Sequence, residues 1–568
     1  MLSTFSFDYH QLNHLWLARS PLSLMAFIQP SNLLFPILFI KIPSGWHTTI
    51  AIMEKLVVDL VIIFFTLVIL RLWWRYLFVS GGRNRYLPPG PPGWPLVGNL
   101  FQVILQRRPF IYVVRDLRKR YGPIFTMQMG QRTLVIVTSA DLIHEALVRR
   151  GATFASRPSD SPIRLLFSVG KCAINSAVYG PLWRTLRRNF VTELINPVRI
   201  KQCSWIREWA WECHSRRLMV EAQEKGYVEV MRNCRLTICS ILICICFGVQ
   251  ISEEKVRFIE ETLKEVMMIT LPQLPDFLPV LGPLFPKKMK EAKKLRKKQM
   301  ECLTPLIRRR REFVKGGGEL NQSSPRDSEV CVSPVGAAYV DSLFTLKPPQ
   351  KGPLGEEEIV TLCSEVISAG TDTSATTIEW ALLHLVMDQS IQEKVYNEIV
   401  NHVGKHGIVT EDDVVKMDYL GSVVKETFRR HPPSHFMLSH AATEETELGG
   451  YTIPADVSVE FYTAWMTEDP DIWEDPDVFR PERFLPSGDG AEVDITGTRG
   501  LKMMPFGAGR RICPAWSLGV LHVNLLLARM VHAFKWLPVA GNPPDPQETF
   551  AFTVVMKNPL NAVIVRRL

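Results

Sequence analysis

At 568 residues, with 46% hydrophobic and 22% charged residues, the chain has material for one very large core or several domains. Its net charge of +9 is gathered in basic clusters that no aromatic residues interleave, which argues against a nucleic-acid surface. Eleven cysteines without a CxxC pair exclude a zinc ribbon or dithiol redox site and indicate a reducing, cytosol-facing environment.

Residues 1–52 read as an N-terminal extension. They hold a single acidic residue, Asp8, and a short apolar run from Leu33 to Ile40 broken by Pro36. Translation is expected to start at Met53, a targeting segment being the other reading. An apolar run up to Leu70, closed by Trp73 and Trp74, predicts a transmembrane anchor over 53–78. Arg71, Arg75, Arg83 and Arg85 follow, so the side after the helix is expected to be cytoplasmic. Residues 79–99 form a basic, proline-rich hinge, with Pro88-Pro89-Gly90-Pro91-Pro92-Gly93 as a stiff extended spacer.

Phe125 to Met129 and Thr133 to Thr138, separated by Gly130, predict a β-hairpin. Helical patterns dominate afterwards. Trp183 and Arg187 lie four apart, on one helix face. The apolar run Leu236 to Val249 is short for a membrane span and predicts a core helix. Leu271 to Pro279 is apolar and broken by prolines, and the basic stretches Lys287 to Lys298 and Arg308 to Arg311 predict solvated helix faces. Gly316 to Pro334 reads as a disordered surface loop within one domain.

Glu356 to about Gln389 predicts one long helix. Its middle, Ala369-Gly370-Thr371-Asp372-Thr373-Ser374, is small and polar where a packed core is expected, and such local conflicts mark functional sites. Glu426 and Arg429 share a helix face at i,i+3. Gly449 to Pro454 reads as a turn into a strand, and Pro481-Glu482-Arg483-Phe484 follows. The segment Pro505 to Ala515 pairs a glycine-rich loop with one cysteine, just ahead of an apolar helical pattern from Trp516 to Phe534. Gly507 and Gly509 would let the backbone approach a flat ligand, Arg510 and Arg511 would meet carboxylates, and the helix start would favour the Cys513 thiolate.

The motif Phe506-Gly507-Ala508-Gly509-Arg510-Arg511-Ile512-Cys513 resembles the haem loop of plant A-type cytochrome P450 monooxygenases, with Ala515 where the family usually has Gly. The resemblance covers Pro88 to Leu568. It implies a mainly α fold with small β-sheets (α+β) behind an N-terminal membrane anchor, with residues 100–568 as the haem-thiolate catalytic domain. It implies haem b, with Cys513 as axial ligand and Phe506, Gly507, Gly509 and Arg511 around it. Trp183, Arg187 and His440 are implied contacts of the haem propionates. Asp372 and Thr373 are implied to deliver protons at the oxygen site, with side-chain bonding to the previous helical turn as the other reading of Thr373. Glu426, Arg429 and Arg483 are implied to form a structural ion network. His435 to Ala441 and Phe550 to Val554 are implied to face the substrate, and Leu271 to Pro279 to lie near its mouth.

No flavin or nicotinamide fingerprint is present, so electrons must arrive from a partner, implied to be NADPH–cytochrome P450 reductase at the endoplasmic reticulum membrane. The surroundings of Leu501 to Pro505 and of His435 to Gly450 are similar to a subfamily that hydroxylates or epoxidises fatty acids within the chain. Oxidation of a phenylpropanoid, flavonoid or terpenoid stays open, as does a reductase-independent isomerase or lyase of the same fold.

Overall fold

The computed structural model describes residues 55–68, 70–71, 87–316, 330–332, 337–499 and 502–567. The expected extension 1–52, the end of the expected anchor and residues 79–86 of the hinge lie outside them. Residues 55–68 are helical, with Leu56, Leu60, Ile62, Phe64 and Leu67 exposed. Within the stretch expected as one disordered loop, Val330–Val332 pairs antiparallel with Val249–Ile251. Two valines there favour a strand, a preference outweighed in the sequence reading by the Gly, Ser and Pro around them.

Strands β1 (Ile124–Met129) and β2 (Arg132–Val137) form the expected hairpin, turning through Gly130 and Gln131. Helix α1 (Pro181–Phe190) carries Trp183 and Arg187. Helix α2 (Val230–Phe247) is apolar on nearly every face and, among the described residues, is the one helix long and apolar enough to cross a membrane. Yet 83% of that window is buried inside the protein, as expected of a core helix.

Helix α3 (Pro286–Lys315) corrects the expectation of a wholly solvated basic face. Arg296 and Arg310 turn inward: Arg310 makes a two-pronged pair with Asp341 (2.9 and 2.7 Å), and Arg296 donates to Gln299, Thr361 and the Glu357 carbonyl. A basic stretch long enough to wrap its helix must place some charges toward the core, where each finds a partner.

The longest helix, α4 (Glu356–Met387), has 32 residues, so it runs about 48 Å. Three glutamates in its first turn suit the positive end of the helix dipole. Almost all of it is buried. Glu365, Ser368, Ala369, Gly370 and Thr373 are the less covered positions at its middle, and Glu365, Ala369 and Thr373 recur every four residues along one face. Gly370 serves a close approach to α2: a Cβ there would meet Leu242 Cδ1 at 2.7 Å.

Helix α5 (Asp418–Arg430) and helix α6 (Trp516–Ala533) pack beside α4 in the main hydrophobic cluster. Strand β3 (Ser458–Phe461) joins β2 in parallel, completing a three-stranded sheet. A late hairpin, β4 (Glu548–Ala551) and β5 (Thr553–Met556), is tied to α4 by Trp380 Nε1 donating to the Val554 carbonyl at 3.0 Å.

Three histidines, His214, His384 and His522, are enclosed, and burial pushes each down to about 3. Such a group is neutral when folded and takes up a proton on unfolding below about pH 6.5, so stability falls with pH between about 6.5 and 3. Each contributes a slope approaching 1.4 kcal/mol per pH unit, roughly, in that window. Urea unfolding followed by tryptophan fluorescence should show the midpoint dropping steadily from pH 7 to pH 5; a constant midpoint contradicts the burial.

Candidate functional site

Cys513 closes the loop that precedes α6. Its N–H donates to the Phe506 carbonyl at 2.8 Å, and the Phe506 ring meets Phe428 of α5 edge-on at 5.1 Å. Gly507 and Gly509 both adopt positive φ, +73° and +67°. Their roles differ from the expected shared approach to a ligand. A Cβ on Gly509 would lie 1.7 Å from the Leu147 carbonyl, so that glycine lets the loop press on the protein itself. A Cβ on Gly507 would meet only Met437, at ordinary contact distance.

Burial pushes the Cys513 thiol up, against the opposing effects of the Ala515 N–H and Arg187. The helix-end effect expected from sequence is outweighed by desolvation. A metal cation on the sulfur is the kind of partner that reverses that balance.

Positive charge converges beside the loop. Arg511 donates to the carbonyls of Ala155 (2.7 Å), Ile174 (3.0 Å) and Ala177 (2.6 Å), and lies 4.4 Å from the Trp183 ring centroid. Arg187 donates to the Ile512 carbonyl at 2.5 Å, and Trp183 Nε1 to the Ile174 carbonyl at 3.2 Å. Arg157, which the sequence reading missed, donates to the carbonyls of Asn175, Leu438 and Ser439. Burial, then repulsion from Arg157 and Arg187, pushes Arg511 down to about 8. His440 is held in the sheet by mutual backbone bonds with Val459, yet neither buried ring nitrogen has a hydrogen-bond partner. Arg510 stays exposed, near the Tyr179 ring. Of His435 to Ala441, Phe436 belongs instead to an aromatic cluster with Phe110 and Tyr462, while Leu438 is exposed.

On α4 the expected proton carriers are not free. Asp372 is buried, paired with Arg235 of α2, and accepts a hydrogen bond from Thr553 at 2.6 Å. Arg235 in turn meets Glu260 at 2.5 Å. Thr373 lies on the less covered face, but its hydroxyl donates back to the Ala369 carbonyl at 2.7 Å. That is the bonding to the previous turn named as its other reading. Helix phase explains the split: consecutive residues stand about 100° apart, so Asp372 and Thr373 cannot share an environment.

Glu426, Arg429 and Arg483 form the expected network, each fully enclosed. Glu426 accepts from Arg429 at 2.7 and 2.8 Å, from Arg483 at 3.4 Å and from the Arg480 N–H at 2.8 Å. The two guanidinium groups also donate to the carbonyls of Thr467, Asp475, Pro476 and Val478, and Arg483 reaches the Asp489 carboxylate at 3.4 Å. The segment 475–483 is thereby fastened to α5.

A family model for Cytochrome P450 matches residues 88–565. The chain belongs to the cytochrome P450 family. It is 37% identical to Cytochrome P450 89A9 of Arabidopsis thaliana over 85% of this chain and 94% of that protein. It is 31% identical to a flavonoid 3',5'-hydroxylase of Crocosmia x crocosmiiflora over 90% and 97%. The fold is also that of a zebra fish cytochrome P450 solved with progesterone, at a TM-score of 0.65 and 22% identity, over 81% of this chain and all of that one.

Cytochromes P450 are monooxygenases that use haem b with a cysteine thiolate as axial ligand. The residues here fit that group. Cys513 would supply the sulfur, and Arg187, Arg511 and the His440 ring would face the two carboxylates, while the single Trp183 N–H is already given to the Ile174 carbonyl. Sequence reasoning also missed Arg235 and Glu365, and it expected Thr553 in a substrate-facing turn where the structure bonds it to Asp372. Glu365 had a usable signal, since it lies two four-residue steps before Thr373 on the same helix face.

Replacing Glu426 with Ala would leave Arg429 buried without a carboxylate and Arg483 with only that of Asp489, at a cost of about 3–5 kcal/mol. Thermal unfolding should shift down and haem content should fall together with it. Retention of both at the unmutated level contradicts the network.

Proposed function

We propose that this cytochrome P450 oxidises an apolar substrate drawn from the membrane, in-chain on a fatty acyl chain, using electrons from NADPH through cytochrome P450 reductase. The observation that carries the membrane source is an exposed apolar face. Trp94, Leu96, Phe101 and Leu105 lie on one side of it and Val280, Leu284 and Phe285 on the other, and both sides join one cluster through Val97, Leu100, Phe277 and Leu281. Such patches suit a lipid surface. The helix at 55–68, with the basic residues that follow, would hold the domain at the endoplasmic reticulum membrane with that face toward the bilayer. The flavonoid hydroxylase relative supports a second reading, an aromatic substrate.

Haem held by Cys513 supplies dioxygen activation, the thiolate favouring O–O cleavage. The chain's own residues do the rest. Arg187, Arg511 and His440 would orient the carboxylate edge, Trp183 holds the Ile174 carbonyl beside them, and Ala369 and Thr373 lie on the less covered face of α4. Thr373 can deliver its proton only by releasing the Ala369 carbonyl. Asp372 accepts a hydrogen bond from Thr553 and is paired with Arg235, which Glu260 in turn anchors, so its role is to fix the polar surroundings of the oxygen site.

A concave surface of about 630 Å³ beside the cysteine loop is lined by Arg149, Arg510, Gly509 and Ile512, among others, and presents positive charge to a reductase. Raising salt should therefore weaken reductase-driven turnover while leaving carbon monoxide binding unchanged; salt-independent turnover contradicts that docking. Microsomes expressing the chain with reductase should convert a fatty acid such as lauric acid to in-chain hydroxylated products, dependent on NADPH and lost in C513S. Conversion of a flavanone alone would instead favour the aromatic reading.

A further inference from the structure

We propose that Glu365 is a positioning residue: it fixes the strap Cys172–Ala177 to the oxygen-site helix and so shapes the substrate side of the haem pocket. The strap crosses between α4 and the cations of the haem edge, and Cys172, Ala173, Ile174, Ser176 and Ala177 are all buried.

The dipeptide Ile174–Asn175 has all four of its backbone polar groups engaged by side chains. Its two N–H groups donate to the two oxygens of Glu365, at 2.9 and 2.6 Å. The Ile174 carbonyl accepts from Trp183 Nε1 and Arg511, and the Asn175 carbonyl accepts from Arg157 at 2.7 Å. One side of this peptide is gripped by a carboxylate on α4, the other by the donors expected to orient the haem carboxylates. Glu365 stands eight residues before Thr373 on a continuous helix, so the fixing point and the oxygen site are about 12 Å apart on one rod. Burial pushes the Glu365 carboxyl up to about 7, so above that pH moving the strap means breaking two charge-assisted bonds to that rod or displacing the haem-edge cations.

A carboxylate accepts both N–H bonds at once, whereas an amide presents only one accepting atom. Glu365→Gln therefore releases one bond with almost no change in volume. Glu365→Asp keeps both acceptors but draws them back by about 1.5 Å. These substitutions leave Cys513 untouched, and E365D, unlike E365Q, also keeps the negative charge that acts on Arg511 and Arg187.

Part of the test rests on the haem-thiolate reading above, and part does not. Hydrogen exchange of the intact holoprotein reads the strap directly. In E365Q the amides of Ile174 and Asn175 should exchange about tenfold faster or more, with α4 unchanged. Titration with n-octylamine, whose alkyl tail occupies the substrate side, should show affinity lowered by about fivefold, while imidazole binding and the reduced carbon monoxide spectrum stay as in the unmutated chain. E365D should fall between the two. Unchanged exchange at both amides, equal weakening of octylamine and imidazole, or loss of the carbon monoxide signature overturns the proposal. Absence of a thiolate carbon monoxide signature in the unmutated chain fails the haem-thiolate reading instead, and the exchange rates at Ile174 and Asn175 then decide the role of Glu365 by themselves.

Discussion

Confined positive charge is the constraint on which this structure turns. Arg157, Arg187 and Arg511 are drawn together by backbone carbonyls from four separate segments, and their mutual repulsion adds to the desolvation that lowers Arg511. Carbonyl dipoles satisfy the donors of such groups without neutralising them. A neutral His440 with two idle ring nitrogens stands beside them. A dianionic edge offered by a flat ligand would balance this arrangement, and the two propionates of haem b would supply one. The cysteine loop, the strap and the start of the α1 motif are therefore parts of one electrostatic design.

Rigidity around that charge comes from two sources. The Glu426–Arg429–Arg483 network fastens an irregular segment whose backbone carbonyls would otherwise lack donors. Helix α4 supplies the second, as a rod buried along most of its length and, away from its two ends, less covered around its middle. Chemistry is placed at the one stretch of that rod that packing does not claim. The 172–177 strap and the β4–β5 hairpin are each bonded to this rod, through Glu365 and through Trp380 and Asp372.

Much of this was legible in the chain, for identifiable reasons. Long apolar periodicity marked α2, α4 and α6, and the cysteine loop and the pair Glu426 and Arg429 are local patterns that survive folding. What escaped depended on contacts distant in sequence. Glu365 meets a segment almost two hundred positions away, and Arg235 meets Asp372 from another helix. No local pattern announces such pairs. The basic stretch of α3 was misread because composition reports charge but not direction. Gly509 was assigned to a ligand because its packing partner, the Leu147 carbonyl, is far away in the chain. Thr373 shows the reverse case, where the local alternative, bonding within its own helix, is what the structure adopts.

The central claim is that enclosed cations select a flat ligand by its carboxylates. Competition between haem and haem dimethyl ester for the apoprotein tests it most directly. The claim predicts that native haem wins by about a hundredfold or more, an advantage that shrinks sharply in R511A while the carbon monoxide signature of bound haem persists. Equal binding of the two porphyrins would contradict it.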